Sequence, residues 1–311
     1  MGELFALISA GSFSIGSIAI RRGMRTARDN GTFMATFVNM VLFLILIAVL
    51  YFCRRMPPLT TIGFFLFLVA GLLTTFSGRS LHYAAIRHLG PSRAISFRMS
   101  SPIITVCLAF VFIGERFSLL QCVGTCAIIG GVWVLSKETL KQDGLHVVQD
   151  QAPVNPGRAV TSNNSLFVGI LFALGSALSF GTGHFFRKWA VMEVPSPYWG
   201  MVIGTTAAWV AMVIQAIIKG DLSALCRNNF NGQAPPWLFI LTGGLNTIGQ
   251  MFIYISVFFT AVSTAQVLAA SEVLGTFVLS RLFLGSEEPL GWRVIVCGVV
   301  ICLGVVLMII G

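Results

Sequence analysis

Charged residues are scarce in this chain. Asp, Glu, Lys and Arg make up 10% of its 311 residues, and 56% are hydrophobic. An ordinary soluble domain has about 25% charged residues. The composition excludes a water-soluble globular protein and indicates one that crosses a membrane several times.

Motifs for catalysis or metal binding are also missing. The chain has no GxxxxGK[ST] run, which excludes P-loop nucleotide hydrolysis. Its histidines form no i, i+4 pair, and Cys122 and Cys126 have no second pair at zinc-site spacing. Glu287 and Glu288 with Arg293 resemble the paired-glutamate motif of intramembrane CAAX-type proteases, but the arginine stands one position too far. We expect no metal ion, no cofactor and no enzyme activity, and keep an intramembrane enzyme only as an alternative.

Ten hydrophobic runs are present instead. A helix needs about 20 apolar residues to cross a bilayer, and the runs match that length. They lie near residues 3–20, 32–52, 61–86, 91–113, 117–136, 165–186, 197–218, 236–260, 262–284 and 291–310. We therefore predict an all-α polytopic membrane protein with ten transmembrane helices.

The two halves of the chain are similar to each other. A polar segment at 137–164 has the composition of a linker and separates residues 1–136 from 165–311. The run at 92–114 aligns without gaps on 263–285, and 12–22 resembles 179–188. Because five helices are an odd number, the second half must enter from the opposite side. We predict a 5+5 inverted repeat around a central cavity, which is typical of secondary transporters.

Polar residues inside the predicted helices meet near mid-membrane. Arg79 and Arg98 each stand about 12 Å from the turn between predicted helices 3 and 4. A charge at this depth normally faces the bundle interior or a wet cavity. The alternative is a buried ion pair of Arg79 or Arg98 with Glu272 that only fixes packing. Residues aligned with this layer are the candidate substrate-binding set: Thr75, Arg79, His82, Tyr83, Arg98, Ser101, Thr105, Asn246, Gln250, Tyr254, Glu272 and Thr276. Glu272 is also the candidate for binding a coupling proton.

The stretch SSPIITVCLAFVFIGERFSLLQCVGTCAIIGGVWVLS, residues 100–136, carries a family resemblance. Pro102, the turn at 114–116 and the glycine pair at 130–131 resemble an EamA-type domain of the drug/metabolite transporter superfamily, and Gly285 and Gly304 repeat part of it. The resemblance implies two inverted five-helix bundles, a cavity lined by helices 1, 3, 4, 6, 8 and 9, and alternating access. For Glu115 in the turn, we expect contacts to arginine or backbone rather than to substrate.

These features favour a secondary transporter of a small polar or amphipathic metabolite, anionic or zwitterionic, with proton coupling left open. A flippase for a lipid-linked head group is the alternative. The expected partners are a small-molecule substrate and the lipid bilayer, with no nucleic acid. The sequence leaves open a monomer or a homodimer.

Basic residues bear on orientation and location. The net charge of +9 comes mostly from short loops, which points to membrane orientation rather than nucleic-acid binding. Most lie in loops after odd-numbered helices, with Arg187 and Lys188 assigned to the loop after helix 6. The positive-inside rule then places the termini outside the cytoplasm, whereas the family resemblance implies termini inside. We expect a multi-pass protein of a bacterial inner membrane.

Overall fold

The protein is a bundle of α-helices. The computed structural model describes residues 1–26, 31–53, 58–89, 98, 100–116, 118–146, 163–223, 226, 236–272, 274–275, 278–279 and 292–310. These ranges contain ten principal helices and no strand. They are α1 (Gly2–Thr26), α2 (Thr32–Phe52), α3 (Thr61–Gly71, Leu72–Gly78 and Arg79–Leu89), α4 (Ser101–Leu108 and Ala109–Ile113), α5 (Leu119–His146), α6 (Asn163–Glu193), α7 (Pro197–Ile218), α8 (Pro236–Phe259), α9 (Val262–Ala269) and α10 (Trp292–Ile310).

Helix length and composition confirm a multi-pass membrane protein. Six helices, α1, α2, α3, α6, α7 and α8, are long and apolar enough to cross a bilayer. Shorter apolar segments lie in α4, α5 and α10. The prediction of an all-helical chain with ten helices is confirmed for the described residues.

Three helices run well beyond their predicted ends. Helix α1 continues to Thr26, α5 continues to His146 and so includes the first residues of the predicted linker, and α6 continues to Glu193. Arg187 and Lys188 therefore lie inside α6, and their assignment to a loop was wrong. The ammonium of Lys188 donates to the backbone carbonyls of Val257 and Thr260, at 2.9 and 2.8 Å. Carbonyls at a helix C-terminus lack intrahelical donors and favour a cation, so this charge is accommodated without ending α6.

The principal helix contacts join the first five helices to the last five. Helix α1 packs along α8, and α6 packs along α3. Helix α2 lies against α8 just as α7 lies against α3, and α1 contacts α9 as α6 contacts α4. In addition, α4 meets α9, α2 meets α7 and α5 packs along α10. Replacing each helix by the one five positions away reproduces these contacts, whereas the contact of α7 with α8 has no counterpart of similar extent between α2 and α3 in the described residues.

Glycines set the closest helix crossing. Helices α3 and α7 meet at Gly71 and Gly204, where a Cβ atom built on Gly71 would overlap the backbone of Gly204. Small residues allow such an approach between membrane helices.

Helix α3 contains a π-helical segment, Leu72–Gly78, directly before Arg79. At Gly78, the space that a side chain would fill is bordered by the ring of Phe180 from α6, 3.2 Å from the Cβ position. The wider π-helical turns change the direction in which the following residues point. Arg79 and His82 therefore start from a shifted helical register.

Candidate substrate site

An ion pair connects the two halves of the chain. Nη2 of Arg98, just before α4, lies 3.6 Å from Oε1 of Glu272, just after α9. The Arg98 side chain is 25% exposed and that of Glu272 is 16% exposed. This pair is only partly buried, so its groups remain within reach of another polar molecule.

Helix α1 also contacts this glutamate. The hydroxyl of Ser17 donates to Oε1 of Glu272 at 3.4 Å, and the hydroxyl of Ser14 donates to the Glu272 backbone carbonyl at 2.8 Å. Neither serine was in the predicted set. Their spacing of three places them on one face of α1, but serines on membrane helices equally mark close packing. The sequence therefore carried only a weak signal for them.

Aromatic and basic side chains surround Arg98 on its other sides. Its Cζ atom lies 5.7 Å from the centroid of the Phe180 ring, within range of a cation–π interaction. His82 on α3 lies within Coulombic range of both Arg98 and Arg79. The structure thus brings His82, Arg98 and Glu272, three of the predicted residues, into one neighbourhood.

Arg79 has a different neighbour. Its Nη1 atom donates to the hydroxyl of Thr36 on α2 at 3.0 Å, and Thr36 is fully buried. The ion-pair alternative thus describes the observed contact of Arg98, whereas Arg79 reaches towards α2.

Two predicted residues bind the backbone of neighbouring helices, and a third is buried within α3. The hydroxyl of fully buried Thr105 donates to the carbonyl of Gly181 on α6 at 3.0 Å. The Tyr254 hydroxyl donates to the carbonyl of Gly200 on α7 at 3.1 Å. Thr75 is buried, 3.5 Å from the neighbouring Thr74 hydroxyl. Their observed contacts do not include the Arg98–Glu272 pair.

The remaining predicted residues are spread around this region. On α8, Gln250 is buried, and Oδ1 of Asn246 lies 3.4 Å from the Cβ position at Gly16. Ser101 is partly exposed, and its carbonyl accepts the Thr105 hydroxyl at 3.2 Å. Thr276 and the side chain of Tyr83 lie outside the described part of the chain.

Glu115 binds backbone, as its position in the turn after α4 predicted. Its Oε1 accepts the N–H of Val262 at 2.9 Å, and its Oε2 accepts the N–H and the hydroxyl of Ser263 at 3.3 and 2.6 Å. These N–H groups open α9, where a carboxylate also interacts favourably with the helix dipole. Glu115 and Lys188 together hold the α8–α9 turn.

This cap leads to a stability prediction. We expect Glu115→Ala to lower the free energy of unfolding by about 1 to 2 kcal/mol, the usual cost of losing an N-cap. Thermal unfolding of the purified protein in detergent measures it. Glu193→Ala removes an exposed carboxylate of α6 and is the matched control. Equal unfolding temperatures for the two variants would contradict the capping role.

Among the described side chains, no group of three or more His, Cys, Asp or Glu is placed to hold a metal ion. The contacts observed at this site are an ion pair and hydrogen bonds.

Comparison with known proteins also indicates a membrane transporter. A family model described as the EamA-like transporter family matches residues 1–137 and 167–310. Among solved structures, 27 chains match. One, a crystal structure of a protein 16% identical in sequence, has a TM-score of 0.67 and covers 99% of this chain and 97% of its own. At that identity the likeness shows the fold alone. No curated protein matches the chain significantly.

Proposed function

Because the chain belongs to the EamA-like transporter family, we propose that it is a secondary transporter that moves small organic anions or zwitterions by alternating access. The observation that carries this proposal is the partly exposed Arg98–Glu272 pair, with His82 beside it. When Glu272 is protonated, the charge of Arg98 inside the bundle has no carboxylate beside it among the described side chains. Since such a charge is costly in a membrane, a negatively charged group of the substrate is its natural partner.

The architecture behind this mechanism is an inverted repeat of residues 1–136 and 165–311, joined by a linker at 137–164. Two observations support it. The family model matches the chain in two segments that coincide with these halves. Most of the larger helix contacts, though not that of α7 with α8, also recur when each helix is exchanged for the one five positions away. In an inverted repeat the substrate site lies at the interface of the halves, where Arg98 and Glu272 meet.

Glu272 has two roles in this mechanism. As a carboxylate it pairs with Arg98 while no substrate is bound. When it takes up a proton, Arg98 loses its partner and becomes available to a substrate anion. Binding of anion and proton is thereby linked, which couples transport to a proton gradient.

A ligand screen followed by uptake tests the proposal. We expect anionic or zwitterionic metabolites to raise the unfolding temperature of the purified full chain, because a ligand that binds the folded state stabilises it. In proteoliposomes, a metabolite found this way is expected to accumulate when a pH gradient is imposed. Glu272→Gln is expected to exchange the metabolite but not to concentrate it.

Other outcomes of these experiments would contradict the proposed function or favour a different one. Stabilisation only by cations would contradict the proposal. Stabilisation only by lipid-linked head groups, without uptake of any soluble metabolite, would favour the flippase. Accumulation by Glu272→Gln equal to that of the unaltered protein would remove proton coupling through this residue.

A further inference from the structure

Arg187 is a buried arginine that the proposed mechanism has not used. It lies on α6, is 4% exposed, and its Cζ atom lies 4.0 Å from the centroid of the Tyr254 ring. Its Nε atom is buried without a hydrogen-bond partner, and neither ion pair seen among the described residues includes it. A cation–π contact offsets only part of the cost of dehydrating a guanidinium.

The carboxylates of the described side chains are engaged elsewhere or exposed. Glu115 caps α9, and Glu272 pairs with Arg98. Glu3 pairs with the N-terminal ammonium, while Glu193 and Asp221 are exposed. Within this part of the chain, Arg187 therefore has no counter-ion.

Arg187 continues the basic region that begins at Arg98. Phe180, His184 and Arg187 stand at i, i+4 and i+7, on one face of α6. The Arg98 guanidinium lies over the Phe180 ring, and the His184 imidazole stacks on that ring at 6.2 Å between centroids. His184 lies within Coulombic range of both Arg187 and Arg98. Seven residues of helix span about 10 Å, so this column connects Arg98 to Arg187.

Arg98 and Arg187 place two positive charges along this column. Glu272 pairs with Arg98, and when it takes up a proton in the proposed mechanism, both charges are left without a carboxylate among the described side chains. A singly charged anion would leave one positive charge unpaired in a region of low polarity, whereas a doubly charged anion would pair both. Because an unpaired charge inside a membrane protein is costly, a doubly charged substrate is favoured over a singly charged one.

From this geometry we infer that Arg187 is a second anion-binding residue of the transport site, and that the substrate is an organic dianion. The inference rests on the proposed transport function. Dicarboxylates and phosphate monoesters share the required chemistry, since both carry two negative charges at pH about 8.

The unaltered protein provides the first test. Binding of succinate is compared with that of monomethyl succinate, and binding of glycerol 3-phosphate with that of its phosphate methyl ester, all at pH about 8. Each pair differs by one charge at nearly constant size. We expect the dianion of at least one pair to bind about tenfold more tightly or better, the usual effect of a charge-assisted hydrogen bond. Equal affinities within both pairs would overturn the inference. The pair that shows the preference identifies a dicarboxylate or a phosphate monoester.

Variants then assign that preference to Arg187. Arg187→Gln is expected to lose at least about tenfold in dianion affinity but less than about twofold for the monoanion, and Arg187→Lys is expected to retain most of the preference. Binding of the monoanion also reports that the variant is folded. Arg116→Gln removes an exposed positive charge and serves as the control. If Arg187→Gln weakens both anions equally or neither, Arg187 is a structural residue beside Tyr254.

The proposed function and this inference fail in different ways. If the unaltered protein binds and transports no anion, both are wrong. If it transports monoanions as well as dianions and Arg187→Gln does not change this, only the dianion inference is wrong.

Discussion

Arg98→Gln is expected to reduce uptake into proteoliposomes by at least about tenfold, with the protein still inserted and folded. A hydrogen bond to a charged group contributes about 1.5 to 3 kcal/mol, which corresponds to roughly 10- to 150-fold in affinity. Arg98 is the arginine that the structure places in direct contact with the other half of the chain, through Glu272. Uptake of the metabolite identified by the ligand screen measures the effect, and Arg116→Gln is the control.

A double variant separates substrate binding from packing. In Arg98→Gln, Glu272 loses its counter-ion, so part of the reduction in uptake would result from lower stability of the protein. Arg98→Gln combined with Glu272→Gln removes both charges and restores a balanced contact. We expect the double variant to recover unfolding temperature but not uptake. Recovery of uptake as well would mean that the pair only fixes helix packing, the alternative that the sequence left open.

Gly71→Ala is expected to give the largest loss of stability. The new Cβ atom would overlap the backbone of Gly204 on α7, and backbone cannot rotate away as a side chain can. Overpacking of a closely packed contact costs about 1 to 3 kcal/mol, occasionally more. We expect a lower yield of monodisperse protein in size-exclusion chromatography and a lower unfolding temperature.

The matched control is Gly130→Ala on α5, where no atom lies within 4 Å of the Cβ position. Alanine at an open helical position is expected to be neutral or stabilising by up to about 1 kcal/mol. A Gly71→Ala variant as stable as Gly130→Ala would mean that α3 and α7 do not cross at Gly71 and Gly204.

Some features of the fold were predictable from the sequence because they depend on local properties of the chain. Helix number follows from the count of apolar runs, since a bilayer imposes a minimum length on each. A contact of Glu115 with arginine or backbone was predicted from its position at a helix end, but the sequence did not show that the backbone belongs to α9, 147 residues away. The end of α6 was not predictable, because the energetic cost of placing Lys188 inside a helix depends on backbone carbonyls at the end of α8, far away in the chain.

The site was only partly predictable for a related reason. Helical periodicity placed Tyr254 and Thr105 on plausible faces, but each hydroxyl is used by the backbone of a neighbouring helix. Ser17 contacts Glu272 because of how α1 packs, and no local sequence pattern predicts this contact. Periodicity gives the face of an isolated helix, not which neighbour covers that face.

By itself the sequence determined that this is a multi-pass membrane protein with ten helices in its described part, because hydropathy and helical rise act along the chain. Only the tertiary structure decided that Arg98 pairs with Glu272, that Arg79 reaches Thr36, and that Arg187 lies buried under Tyr254. Those partners depend on how each helix is rotated and how closely it approaches its neighbours. Contacts such as that of Gly71 with Gly204 set both quantities, and they join residues far apart in the chain.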